Sequence, residues 1–180
     1  SFALKVASKG KVALLCKTEM IEANTNFAQG GICCVMKEDD KFENHIKDTL
    51  IAGDGICDYN VVKKVVEGAP AQIKELVKWG VDFDKNEDGK YDLHKEGGHD
   101  NFRILHHKDN TGAEIQESLV ETVKNHPNID VMEHHFAIEL LTQHHLGMLV
   151  KHTTPNIDCY GAYVLDIKKN CVDTYLAKIT

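Results

Sequence analysis

Hydrophobic and polar positions alternate along the chain with two periods, and the changes of period mark its elements. The opening FALKVAS has helical spacing and is stopped by Lys9-Gly10, after which VALLC (Val12 to Cys16) reads as a short buried strand. A helix feeding directly into a buried strand is the second half of a β-α-β unit, so the pattern predicts a first strand and turn upstream. A polar, glycine-bearing stretch from Lys17 to Gly31 follows. Helical spacing then returns at Lys41 to Ala52, Asn60 to Glu67 and Ala71 to Trp79, with Gly80 as a stop.

FRILH (Phe102 to His106) is read as a strand, and Thr111-Gly112 leads into a helix over Ala113 to Asn125 that Pro127 ends. Beyond it the pattern is β-rich. Strands are expected at Ile129 to Glu133, Ala137 to Leu141, Gly147 to His152, Gly161 to Ile167 and Asp173 to Thr180, joined by short polar turns. α/β first and meander second implies an α/β fold, a mixed sheet with a small β appendage. The last strand runs to the final residue without a cap, so the pattern predicts a fold that is incomplete at both ends.

Composition narrows the function. The 180 residues are 42% hydrophobic with a net charge of -7, enough for a core and the wrong sign for a phosphate backbone. No Lys/Arg run or basic aromatic face argues for nucleic acid. No apolar run approaches the roughly 18 residues of a membrane span, and the N-terminus lacks the apolar region of a signal peptide. Six cysteines (Cys16, Cys33, Cys34, Cys57, Cys159, Cys171) without a CxxC pair fit a reducing, cytoplasmic setting.

The segment DKNEDGKYDLHKEGGH, Asp84 to His99, starts like a calcium loop. Asp84, Asn86, Asp88 and Asp92 take ligand positions and Gly89 the turn, yet Lys95 stands where the closing carboxylate is required, and Gly97-Gly98 replaces the exiting helix. A solvated acidic turn is the plainer reading of Asp84 to Asp92, and it leaves EGGH unexplained. His134-His135 and His144-His145 have no zinc-ligand spacing, so no metal residues are assigned. In NTNFAQGGI, Asn24 to Ile32, two glycines let the backbone approach a planar or anionic ligand while Asn24, Thr25 and Gln29 supply hydrogen-bonding groups.

Together, TEMIEANTNFAQGGI, DTLIAGDGICD, EGGHDNFRILHHKDNTG and NHPNIDVME resemble the L-aspartate oxidases, flavoproteins of the succinate dehydrogenase and fumarate reductase superfamily, through almost the whole chain and in register. The resemblance implies an incomplete Rossmann-like FAD-binding domain with a β-meander over residues 1 to 180. The first strand and GxGxxG turn, the capping domain and the C-terminal helical domain fall outside it. It implies oxidation of L-aspartate to iminoaspartate at the start of NAD biosynthesis, with oxygen or fumarate as electron acceptor and quinolinate synthase as a possible partner. This segment alone is expected to be inactive.

By the same resemblance Lys17 contacts the cofactor, Asn24, Thr25, Asn26, Phe27, Ala28, Gln29, Gly30 and Gly31 form the loop on the isoalloxazine side, and Phe136 and Ala137 lie on the adenine side. Glu96 is implied as the catalytic carboxylate that orients the substrate ammonium and takes up its proton. Arg103, His106 and Asp109 are expected to frame the site through a buried Arg-Asp pairing, and His99 to face it. The succinate dehydrogenase and fumarate reductase flavoproteins are the alternative. Those attach FAD through a histidine immediately before the loop threonine, and Asn24 precedes Thr25 here, which implies noncovalent FAD. Cys33-Cys34 in place of two alanines, and Asp100 in place of a serine, depart from the oxidase pattern.

Overall fold

The computed structural model describes residues 1–180. In chain order the elements are α1 (Phe2–Val6), β1 (Val12–Cys16), β2 (Ile32–Cys33), α2 (Phe42–Ala52), α3 (Tyr59–Lys78), β3 (Leu93–His94), β4 (Ile104–Leu105), α4 (Thr111–Lys124), β5 (Ile129–Glu133), β6 (His135–Thr142), β7 (Cys159–Asp166) and β8 (Cys171–Leu176), with single 3-10 turns at Asn24–Phe27 and Gln143–Leu146. They fall into two compact units, Ser1–Glu22 with Val123–Thr180, and Ala23–Thr122.

In the first unit β1 pairs in parallel with β5, Val12 opposite Ile129 through Cys16 opposite Glu133. Parallel strands need a crossover between them. Ala3, Ala7, Val123 and Ile129 are buried together, with Leu4, Val12, Leu14, Met20 and Val131 packed around them. The meander is a separate antiparallel sheet of order β6-β7-β8. His134, at φ 59°, makes the tight turn from β5 into β6.

In the second unit α3 rests its face of Ala69, Ile73 and Leu76 on a core that includes Cys34, Phe83, Leu93, Leu105 and Ile115, and Val66 on the same helix is buried as well. Asp58 caps this helix by accepting from Asn60 N and Val61 N. A small antiparallel sheet of order β2-β4-β3 crosses the core. Arg103 N donates to His94 O and Cys34 N to Arg103 O, which extends both ladders by one residue.

Four expectations change. The two helices expected on either side of Gly68 and Pro70 are one helix, because burial of a continuous face outweighs the local cost of glycine and proline. The strand expected at Gly147 to His152 does not form: β6 already pairs with β7 up to Thr142 opposite Cys159, so residues 143 to 158 are the connection, and Met148 and Leu149 stand exposed. Parallel and antiparallel pairings occupy different sheets, so the single mixed sheet is replaced by three smaller ones within the same α/β class. The final strand ends at Leu176.

Candidate functional site

The loop Asn24–Gly31 is held in place by backbone approach. Gly112 N donates to Ala28 O at 2.8 Å and Thr111 Oγ1 to Gly30 O at 3.3 Å, so the N-terminus of α4 grips the loop from one side. A Cβ at Gly112 would collide with Thr25 O and Ala28 O, and one at Gly31 with Leu105 O. These two glycines are required by closeness. Gly30 is different: a Cβ there would meet only Glu96 Oε1, at 3.9 Å. Asn24, Thr25, Phe27, Ala28, Gln29 and Gly30 are exposed, Phe27 by 74%, so the loop offers amides and an aromatic face outward. A rigid, glycine-relieved loop of this kind suits the edge of a planar ring system.

Glu96 lies beside Gly30 of the loop, with Cys33 and His99 nearby. His99 Nε2 lies 3.3 Å from Cys33 Sγ, and Arg103 Nη1 donates toward His99 Nδ1 at 3.3 Å. An arginine can only donate, so Nδ1 is an acceptor and the neutral ring carries its proton on Nε2, aimed at Cys33. Burial raises the Cys33 thiol, and the negative charge of Glu96 adds to it; Cys34 is pushed up to about 11 by burial. Both are thiols at neutral pH.

Beneath them Arg103 is fully buried, as the sequence implied, but its partners are not Asp109, which is exposed. Arg103 Nε and Nη2 donate to the two oxygens of Asp40 at 2.8 and 2.9 Å, and Nη1 donates to Asp48 at 2.5 Å. Asp40 also accepts from Asn101 Nδ2 and Asp48 from Asp100 N. Burial works against both carboxylates, but Arg103 with Asn101 for Asp40, and the Asp100 N–H with Arg103 for Asp48, outweigh it and hold both below the usual range. Asp40 and Asp48 were missed in the sequence because they lie 63 and 55 residues from Arg103. The one visible signal was an aspartate on the buried face of α2.

Lys17 and Phe136 belong to the other unit, where Lys17 Nζ sits 5.3 Å above the Phe136 ring and Ala137 is exposed beside it. His106 does not join Arg103. Together with Asp92 and His94 it forms a group whose ligand atoms all lie within 4.8 Å of one another, and Cys33, His45 and His99 form a second such group. Neither was foreseen from spacing.

A family model described as an FAD binding domain matches residues 1–179. The L-aspartate oxidase of Arabidopsis thaliana, a chloroplastic protein, is 44% identical over 179 residues, 99% of this chain and 26% of its own length. That of Vibrio cholerae is 43% identical over 183 residues, 99% of this chain and 33% of its length. Among solved structures, a variant of the E. coli quinol fumarate reductase superposes with a TM-score of 0.83 at 25% identity, covering 98% of this chain and 28% of that one. The chain thus spans about a quarter to a third of the relatives it matches. No helix is long and apolar enough to cross a membrane.

Proposed function

Because this chain belongs to the FAD-binding domain family, in the branch shared by the L-aspartate oxidases and the succinate dehydrogenase and fumarate reductase flavoproteins, we propose that it is the flavin-holding part of an L-aspartate oxidase. The reaction is oxidation of L-aspartate to iminoaspartate, with electrons passed on to oxygen or fumarate, at the start of NAD biosynthesis in the cytoplasm. The observation that supports this is Glu96, whose Oε1 would be the one atom met, at 3.9 Å, by a Cβ at Gly30, in a loop that has no space for a side chain at Gly31.

FAD supplies the two-electron acceptor. The chain's residues supply position and charge. Asn24 to Gly31 would hold the ring edge with backbone groups and amides, Lys17 would answer cofactor charge, and Phe136 and Ala137 would line the adenine side. Glu96 would receive the substrate ammonium and accept one of its protons, so that the nitrogen lone pair can assist departure of the α-hydrogen as hydride. Asp100 adds negative charge at the rim. It hangs from a backbone N–H that Asp48 holds, so its place is fixed by the Arg103 network.

Glu96→Gln in the full-length enzyme is the test. It keeps shape and hydrogen bonding while losing the charge and the base. Aspartate turnover should fall by about 10²-fold with flavin content unchanged, and fumarate reduction should fall less, since fumarate has no amine. Equal losses on both substrates, or no loss, would return Glu96 to a supporting role in the loop.

Asn24 favours the oxidase over the covalently flavinylated alternative, because its amide side chain cannot form the histidyl linkage. Acid precipitation of the holoprotein should therefore release the flavin to the supernatant. Yellow colour retained in the washed pellet would overturn the noncovalent assignment.

A further inference from the structure

We propose that Asp92, His94 and His106 form a binding site for a first-row divalent transition metal of the zinc class, with Asp84 orienting His106. Register explains their meeting. Leu93 pairs with Leu105 and His94 with Ile104, so residues 92 and 94 of one strand and 104 and 106 of the other share one face. The ladder continues beyond the paired residues, since Asp84 N donates to His106 O and Asp92 N to Asp84 O, both at 2.9 Å.

The donor set is that of a borderline metal, two imidazoles and a carboxylate. Asp92 Oδ2 lies 3.7 Å from His106 Nε2 and 3.8 Å from His94 Nε2. Ligand atoms around a tetrahedral ion with bonds of ~2.1 Å stand about 3.4 Å apart, so these two edges need to close by only tenths of an ångström. The rings of His94 and His106 stack with centroids 3.7 Å apart at 23°, and one nitrogen of each lies within 4.8 Å of the other and of the Asp92 carboxylate. His106 is the fixed member, 6% exposed, and neither of its nitrogens has a hydrogen bond of acceptable geometry. Asp92 and His94 are half exposed and free to adjust, and water can complete the sphere from their side.

Asp84 supplies the outer partner such a site needs. Its Oδ2 lies 3.2 Å from His106 Nδ1 and accepts from Lys108 N at 2.7 Å, so it favours a proton on Nδ1 and leaves the Nε2 lone pair facing Asp92. The acidic turn therefore serves a different ion from the one its spacing suggests. Asn86 Oδ1 is used by Asp88 N and Lys90 N inside the turn, and Asp84 and Asp92 turn toward the histidine. The second group, Cys33, His45 and His99, is the natural rival and is less suited, because Arg103 holds the proton of His99 on the nitrogen that faces Cys33. A bound ion would clamp the turn from Asp84 to His94 onto β4.

The test uses the full-length protein stripped with a chelator, titrated with zinc chloride by calorimetry and with cobalt(II) by visible absorption. Expected are one equivalent of zinc bound, cobalt d–d bands without thiolate charge transfer, and a rise in melting temperature with zinc. His94→Ala and Asp92→Asn change exposed side chains and should weaken binding by at least ~10-fold, abolishing the thermal shift, while Cys33→Ser binds like the parent. Absence of binding, unchanged affinity in both ligand variants, loss of binding in Cys33→Ser, or calcium bound in preference to zinc would each overturn the assignment.

Discussion

Arg103 has no solvent exposure and holds two carboxylates, Asp40 just before α2 and Asp48 within it. One guanidinium thus pairs with two buried carboxylates, and its bidentate grip on Asp40 uses a fork that lysine lacks. Arg103→Met keeps the bulk and removes both pairings, leaving Asp40 and Asp48 buried without a cation. Urea denaturation should show a loss of about 3–5 kcal/mol, the cost of breaking a buried pair by removing one partner. A loss under ~1 kcal/mol would mean that the carboxylates find water or other donors. At this scale the sequence was legible where chemistry is local. The paired glycines of the Asn24 to Gly31 loop stand out by type and spacing, whereas the role of Glu96 and a buried Arg-Asp pairing at Arg103 were implied by the family resemblance. The actual partners of Arg103 were not, because a side chain in or just before α2 reaches Arg103 only after the chain between them has folded, and no local period encodes that meeting.

Elements were legible in proportion to how far their own residues decide them. β1, β5 and α4 emerge within one or two residues of the boundaries the pattern gives, since each buries an apolar face of its own. α3 shows tertiary override: Gly68 and Pro70 break the pattern on paper, but Val66, Ala69, Ile73 and Leu76 lie on one stripe and the core keeps them on one helix. The segment after Gly147 shows the converse. GMLVKH has strand character, but it falls in the connection between Thr142 and Cys159, the last paired residues of β6 and β7, and joins no ladder there. The two-residue strands of the second unit are too short to carry a period at all. Their register nevertheless sets which side chains of Asp92, His94 and His106 share a face, so the least legible elements determine the least expected site.

For the molecule as a whole, the buried polar layer in the second unit makes stability depend on pH in two separable windows. His45 is held below its ordinary value, chiefly by burial and then by the charge of Arg103 and by His99, against the opposing pull of Asp40 and Asp48. An unfolded histidine titrates near about 6.5, so below that value the unfolded chain takes a proton the folded one refuses. The contribution of neutral His45 is therefore complete above about 6.5 and declines as pH falls toward its depressed folded value. Asp40 and Asp48 act in the same direction further down: their stabilisation is complete above the unfolded carboxylate value near about 3.9 and is lost as pH falls through their lower folded values. Urea midpoints measured from about pH 8 to about pH 3 should fall in two steps separated by a flatter stretch. His45→Gln removes the upper step and keeps the lower one, whereas Arg103→Met relieves the carboxylates of their partner and removes the lower step. A single acid transition that His45→Gln leaves unchanged would place the pH-sensitive groups elsewhere in the fold, because the imidazole would then have to be solvated in the native protein and its nitrogen satisfied by water instead of buried without a partner.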